Sequence, residues 1–169
     1  MAAVSARRPK APSEAGQILV IAALSMLAII GGVALVLEGG NAYANQRIAQ
    51  NAADAVAHAG ATVLAQRLGG TAKDDGDVAD AMTQLANANG LATHTGYYVN
   101  VTGQYIAATG LPAISPGEWV EVGSLGEGMP PPPKAQGVRA SAGREFGATF
   151  GRAIGFDEFT AAAEATAVM

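Results

Sequence analysis

The chain has no cysteine. Disulfides, thiolate metal sites and cysteine nucleophiles are therefore excluded, whatever the redox state of its surroundings. Aromatic residues are 5% of the 169 residues while half the chain is apolar, so any soluble core rests on Ala and Val rather than on rings. Histidine occurs twice, as His58 and His94, in unrelated settings. The small net charge of −4 excludes a basic nucleic-acid surface. Also missing are a P-loop, a dinucleotide glycine pattern, an HExxH pair and a Gly-x-Ser-x-Gly elbow. Acidic neighbours such as Asp74-Asp75 fall in what reads as an exposed loop, where nothing tunes a carboxyl group for acid–base work. No catalytic, cofactor-binding or metal-ligating residue stands out, and a non-enzymatic role is the expectation.

What the chain does have is a long uncharged run, residues 18–37, whose only polar side chain is Ser25. About 20 such residues make an α-helix that crosses roughly 30 Å of hydrocarbon. Lipid offers the backbone no other hydrogen-bond partner, so the run must be helical. It lacks the polar face that a soluble core helix carries. Arg7, Arg8 and Lys10 precede it against Glu14, whereas seven basic and thirteen acidic side chains follow. Because Lys and Arg flanking a span stay in the cytoplasm, the N-terminus is expected inside and the chain from about Glu38 outside. The rival reading is a cleaved signal peptide, with Arg7-Arg8-Pro9-Lys10 as its positive region and Ala42-Tyr43-Ala44 as its cleavage site. The apolar run is longer than the roughly 7–15 residues usual there, and Pro9-Lys10-Ala11 lacks the hydrophobic residues expected around a twin arginine.

Residues 1–15 read as a disordered cytoplasmic tail. Within the span, Ala28 and Gly32 form a small-xxx-small pair that lets another helix approach closely, although Gly is also simply common in membrane helices. Glu38 closes the span at the outer interface, as a stop signal or as a counter-charge for a neighbouring subunit's cation or for Arg47. Gly39-Gly40 predicts a kink rather than a stop: each Gly costs a helix interior about 1 kcal/mol relative to Ala, and helix formers resume at once. Along residues 45–68, Ile48, Ala52, Ala55 (or Val56), Ala59 and Val63 recur at steps of four and three, a heptad seam. Being mostly alanine, that seam suits close helix-to-helix contact. Asp54 and His58 are spaced for a surface pair, and Gly69-Gly70 supplies a C-cap. Continuous helix over residues 17–68 would be about 75–80 Å long.

The order Gly16-Gln17, apolar span, Glu38-Gly39-Gly40, Tyr43, then Gln46-Arg47-Ile48-Ala49-Gln50-Asn51-Ala52-Ala53-Asp54-Ala55 and Ala59-Gly60-Ala61 resembles the N-terminal Tad domain. This is the membrane segment of TadE/TadG-like proteins of Flp (tight-adherence) pilus assembly. The Gln-Asn-Ala-Ala-Asp-Ala core is its most specific part, and the likeness covers about residues 16–62. Residues 137–150, Ala153-Ile154-Gly155-Phe156 and residues 159–168 are similar to the end of short members of the group. Two departures stand out. Prepilins carry glutamate five residues after a processing glycine, where this chain has Ile21 after Gly16. The chain is also too short for the metal-binding adhesion domain of larger members.

Past Gly70, residues 73–77 superficially suggest calcium but lack EF-hand spacing and its closing glutamate. Asp77 with Asp80 reads as the N-cap and first-turn acid of a helix over 78–88, ended by Asn89-Gly90. Tyr97, Val99 and Val101 alternate with Tyr98, Asn100 and Thr102, a half-buried strand. Asn100-Val101-Thr102 is a glycosylation sequon by pattern only. A second strand is expected over 118–122, with Val120 and Val122 on one side and Trp119 and Glu121 on the other. Residues 123–136 read as a linker whose four prolines favour an extended helix. A third strand is expected over 138–145, then a helix over 146–154 with Phe146, Phe150 and Ile154 on one face. Residues 159–168 are helix by propensity but strand by alternation and by resemblance.

The expected fold is α+β: a long transmembrane helix continuing into an alanine-rich extramembrane helix, together residues 16–68, then a head of about four antiparallel strands and short helices over 69–169. With the resemblance, the expected function is a structural or assembly component of a Tad-type pilus, acting through helix association. Its partners would be membrane lipid and other pilus-assembly or pilin-like subunits, in a homo- or hetero-oligomer, with no cofactor. The alternative is a membrane-tethered surface-binding module, with Trp119, Tyr97 and Tyr98 as ligand contacts. Processing at Gly16, at Ala44 or not at all remains open at this point.

Overall fold

The computed structural model describes residues 14–108, 114–115 and 117–169, with side chains from Gly16 onward. Residues 1–13 of the expected tail lie outside the described residues, and Glu14 and Ala15 belong to the helix rather than to the tail. Helix α1 covers Glu14–Leu68 and α2 covers Asp75–Ala88; strands β1 (Thr93–Val99), β2 (Gly137–Gly147) and β3 (Glu158–Val168) follow, with a 3-10 turn at Gly151–Ile154 before β3. The strands form one antiparallel sheet in the order β1-β2-β3, which makes the fold α+β.

Two compact units divide the chain, the first ending at Leu37 and the second running Glu38–Met169. Residues 38–68 of α1 thus belong to the same compact unit as the sheet. In the first unit, every large apolar side chain from Ile18 to Leu37 is exposed. This is the one helix among the described residues long and apolar enough to cross a membrane, and none of its apolar stretch is buried. A core helix of the same composition would hide those side chains, since each buried Leu, Ile or Val is stabilised by about 1.5–3 kcal/mol.

α1 is assigned as helix through Gly39 and Gly40 without interruption. The turn they weaken carries outside contacts: Glu38 accepts from the Thr149 and Phe150 N–H groups, and the Asn41 amide donates to Gly147 O. The helix ends as its glycines suggest. Gly70, at φ +92°, donates to Arg67 O, and Thr71 donates to Gln66 O, a pair of bonds that satisfies otherwise orphaned carbonyls. α2 ends by the same device, with Gly90 at φ +63°, Gly90 donating to Asn87 O and Leu91 donating to Ala86 O.

The start of α2 differs from expectation. Asp74, not Asp77, is the N-cap, and the two form a reciprocal capping box: Asp74 accepts from the Asp77 N–H while Asp77 accepts from the Asp74 N–H. The Asp77 carboxyl is held below its usual range, first by the hydrogen bond from the Asp74 backbone and then by Lys73.

One face of the sheet is buried and the other open. Gly96 and Tyr98 of β1, Val138, Ala140 and Ala142 of β2, and Ala161, Ala163, Ala165 and Ala167 of β3 line the buried face. They share a core with Ala49, Ala53, Val56, Ala57, Ala61, Val63 and Leu64 of α1 and Val78, Met82 and Ala86 of α2. Alanine against alanine permits close approach, and at Gly60 the helix leaves no room for a side chain. A Cβ there would lie 2.9 Å from Val138 Cγ2 and 3.1 Å from Met82 Sδ.

Several expected elements shift. β1 begins four residues earlier than the alternation implied, and Val101 and Thr102 fall in a turn. Residues 118–122 form isolated bridges at Trp119 and Glu121 rather than a strand, although Val120 points in and Trp119 and Glu121 out as expected. The helix expected over 146–154 is absent but for the 3-10 turn, because Phe146 continues β2 and pairs with Phe159 of β3, their rings 5.9 Å apart. The linker over 123–136 is packed rather than free, with Pro131 fully buried.

Candidate functional site: the docked helix and the open sheet face

β3 is an edge strand, and α1 covers it. The Gln46 amide donates to Ala162 O at 2.7 Å and the Gln50 amide to Glu164 O at 3.1 Å. The match is metrical: four residues of helix rise about 6 Å, and two residues of strand span about 6.6 Å. An uncovered edge would offer unpaired carbonyls to any passing strand. Nearby, Arg144 ties three elements together, donating to Asn45 Oδ1 at 3.2 Å on α1 and to Asn89 O at 3.0 Å beyond α2. Sequence reading missed Arg144. Its signal, a cation in a strand facing an Asn-rich turn, becomes meaningful only once the register is known.

This docking redistributes the expected association seam. Ala52 and Val63 are buried in the chain's own core. Ile48 is 43% exposed, and Ala55 and Ala59 are half-buried. Ala28 and Gly32 are open, with nothing within 4 Å of a Cβ at Gly32. Glu38 meets backbone N–H groups rather than Arg47, which lies 3.5 Å from the Tyr43 hydroxyl. Asp54 and His58 make no ion pair; among the described residues the only salt bridge is Lys73–Asp77.

The expected ligand contacts divide. Tyr98 is fully buried and its hydroxyl donates to Asp75 at 2.6 Å, so it is a core residue rather than a surface contact. Asp75 is equally buried and also accepts from the Gly123, Leu125 and Gly126 N–H groups at 2.8–3.0 Å. That carboxylate pins the 123–128 loop to the start of α2. The acidic run that superficially suggested calcium is therefore occupied by backbone donors. Among the described residues no group of three or more His, Asp or Glu is placed to hold a metal ion. Burial, then the bond to Asp75, raises the Tyr98 pKa well above its ordinary value.

Trp119 is 52% exposed and Tyr97 half-buried, both joined through Tyr105 at ring distances of 5.4 and 5.7 Å. Arg139 lies 4.8 Å over the Tyr105 ring and donates to Thr166 Oγ1 at 2.9 Å. Arg139 and Tyr105, which sequence reading did not single out, make this an ordered aromatic–cation cluster beside the open sheet face.

A long helix whose apolar first half is exposed and whose polar continuation docks on a small antiparallel sheet defines the class: an α+β protein with one candidate membrane span among the described residues. Residues 16–65 match the Tad family, described as putative Flp pilus-assembly TadE/G-like. The match covers less than a third of the chain and supports the Flp/Tad pilus-assembly family and a pilus-assembly-related role. No curated protein and no solved structure matches the chain.

Proposed function

We propose that the protein is a non-enzymatic structural or assembly component of a Tad/Flp-type pilus system, held in the bacterial cell membrane by residues 18–37, with the N-terminus cytoplasmic and the unit from Glu38 outside. The observation that carries this reading is the Tad match over a helix whose apolar half is wholly exposed while its polar half is docked. Association runs through surfaces left free by the chain's own core: Ala28 and Gly32 in the span, and Ile48, Ala55 and Ala59 outside it. Close approach at small residues is how membrane helices gain packing energy without a hydrophobic drive. The working division of the chain is a tail to residue 15, the Tad helix over 16–68 and the head over 69–169. Its partners on this reading are lipid and other pilus subunits. The test is pilus display by electron microscopy in cells carrying Gly32→Ile: loss of pili at normal protein level supports the reading, and normal pili in cells lacking the protein altogether overturn it.

A second reading, a membrane-tethered binding module, is favoured by one observation: the half-exposed Trp119 in the cluster with Tyr105 and Arg139. Loss of surface adhesion from Trp119→Ala with normal pili would select it.

A further inference from the structure

Residues 148–157, which join β2 to β3, form a tight tip. Ala148 N donates to Asp157 O at 2.9 Å and Phe156 N to Gly151 O at 3.0 Å, and Gly155 takes φ +91°. At Gly151 even a methyl group would crowd Ala148 and Phe156. The turn holds three large apolar side chains outward: Ile154 is 77%, Phe156 57% and Phe150 38% exposed. In a unit whose core is mostly alanine, this is where large apolar groups gather in solvent, and such gatherings mark an interaction surface.

Glu38 fixes the place of the tip. Its carboxylate accepts from Thr149 N at 3.1 Å and Phe150 N at 2.9 Å. Glu38 directly follows Leu37, the last residue of an apolar run long enough for about 30 Å of hydrocarbon. The tip backbone is thus hydrogen-bonded to the residue that directly follows the apolar run.

We propose that residues 149–156 seat in the outer interface of the bilayer that the span crosses, with Phe150, Ile154 and Phe156 in the acyl boundary and Arg152 at headgroup level. The partner of this surface is lipid, and the proposal rests on the anchor reading above. Interfacial binding of this kind draws on buried apolar area, with long cationic side chains reaching back to the headgroups. The same geometry accounts for Glu38 at the boundary, because two backbone N–H groups meet its charge where water thins.

A cysteine-free chain allows a direct test. Nitroxide labels are placed on the full chain at Ala28→Cys, Ile154→Cys, Phe156→Cys and Lys134→Cys, and the chain is reconstituted into phosphatidylethanolamine/phosphatidylglycerol vesicles. Lys134 is exposed and precedes β2, at the far end of that strand from the tip. Accessibility to oxygen and to a water-soluble nickel chelate is then read by electron paramagnetic resonance. The proposal expects oxygen access without chelate access at 28, free chelate access at 134, and strong chelate shielding at 154 and 156. Labels at 154 and 156 as chelate-accessible as 134, with 28 still in lipid, overturn the proposal and leave the anchor standing. Chelate access at 28 overturns the anchor, and the proposal with it.

Discussion

The Gln46 side chain donates to the carbonyl of Ala162 at 2.7 Å, across 116 positions of sequence. With Gln50 and Glu164 one helical turn on, it gives two glutamines of the Tad segment a structural role, sealing the free edge of β3. Replacing both by leucine removes two exposed hydrogen bonds, a loss of about 1–3 kcal/mol at roughly 0.5–1.5 kcal/mol each, and opens the edge to pairing. The expected result is a lower urea midpoint, read by Trp119 fluorescence in detergent, together with concentration-dependent self-association. Unchanged stability and solubility would contradict the role.

Asp75 and Tyr98 hold the start of α2 to the sheet. Asp75→Ala leaves four donors without their acceptor and is expected to cost about 3 kcal/mol or more. Tyr98→Phe removes one charge-assisted bond, about 1.5–3 kcal/mol. Denaturant midpoints should rank wild type above Tyr98→Phe above Asp75→Ala, and the reverse order for the variants would contradict the assignment.

The same hydroxyl sets an alkaline limit. The folded state raises the Tyr98 pKa above 10.0, so it keeps a proton that the unfolded chain gives up near pH 10. In that range the unfolded state binds fewer protons, and stability therefore falls as pH rises above about 10 and is unaffected below. Wild type should lose more stability than Tyr98→Phe between about pH 9 and about pH 11. An equal loss in both would contradict the coupling.

Gly60 is a contact point without room. Gly60→Val drives a branched side chain into Val138 and Met82, and is expected to cost about 1–3 kcal/mol as overpacking. Gly39→Val, where nothing lies within 4 Å, should leave stability within about 0.5 kcal/mol. Thermal unfolding of both variants checks the contrast.

The seam separates folding from assembly. Ala52→Glu puts an unpaired charge into a buried position and should prevent accumulation of folded protein rather than report on association. Ile48→Glu, at a 43% exposed site, should leave stability within about 0.5 kcal/mol and reduce piliation. Normal piliation in Ile48→Glu would remove the outer helix from the association surface.

How legible these features were depended on their range in sequence. The span, the glycine caps at Gly69-Gly70 and Asn89-Gly90, and the alternation of β3 follow from local chemistry and were readable. The α2 cap was misplaced by three residues because Asp74 and Asp77 cap each other, so either could pass for the N-cap. β1 was placed late because Thr93 to Gly96 carry no apolar alternation; pairing with β2 makes them strand. Phe146 and Phe150 had helical spacing, but Phe146 has a cross-strand partner in Phe159 that no local window contains. The heptad spacing is a local pattern that does not say what covers it, and Ala52 and Val63 are buried within the chain itself. Edge sealing by Gln46 and Gln50, and the pinning of Glu38 to the tip, join residues more than 100 positions apart and left no local trace.

The central claim is that residues 18–37 hold this protein in a membrane. Alkaline carbonate extraction of the membrane fraction, with intact-mass analysis of what is recovered, tests it most directly. The account predicts a chain still carrying residues 18–37 in the pellet, released only by detergent. A chain of full mass in the aqueous supernatant, without detergent and untrimmed, would contradict it.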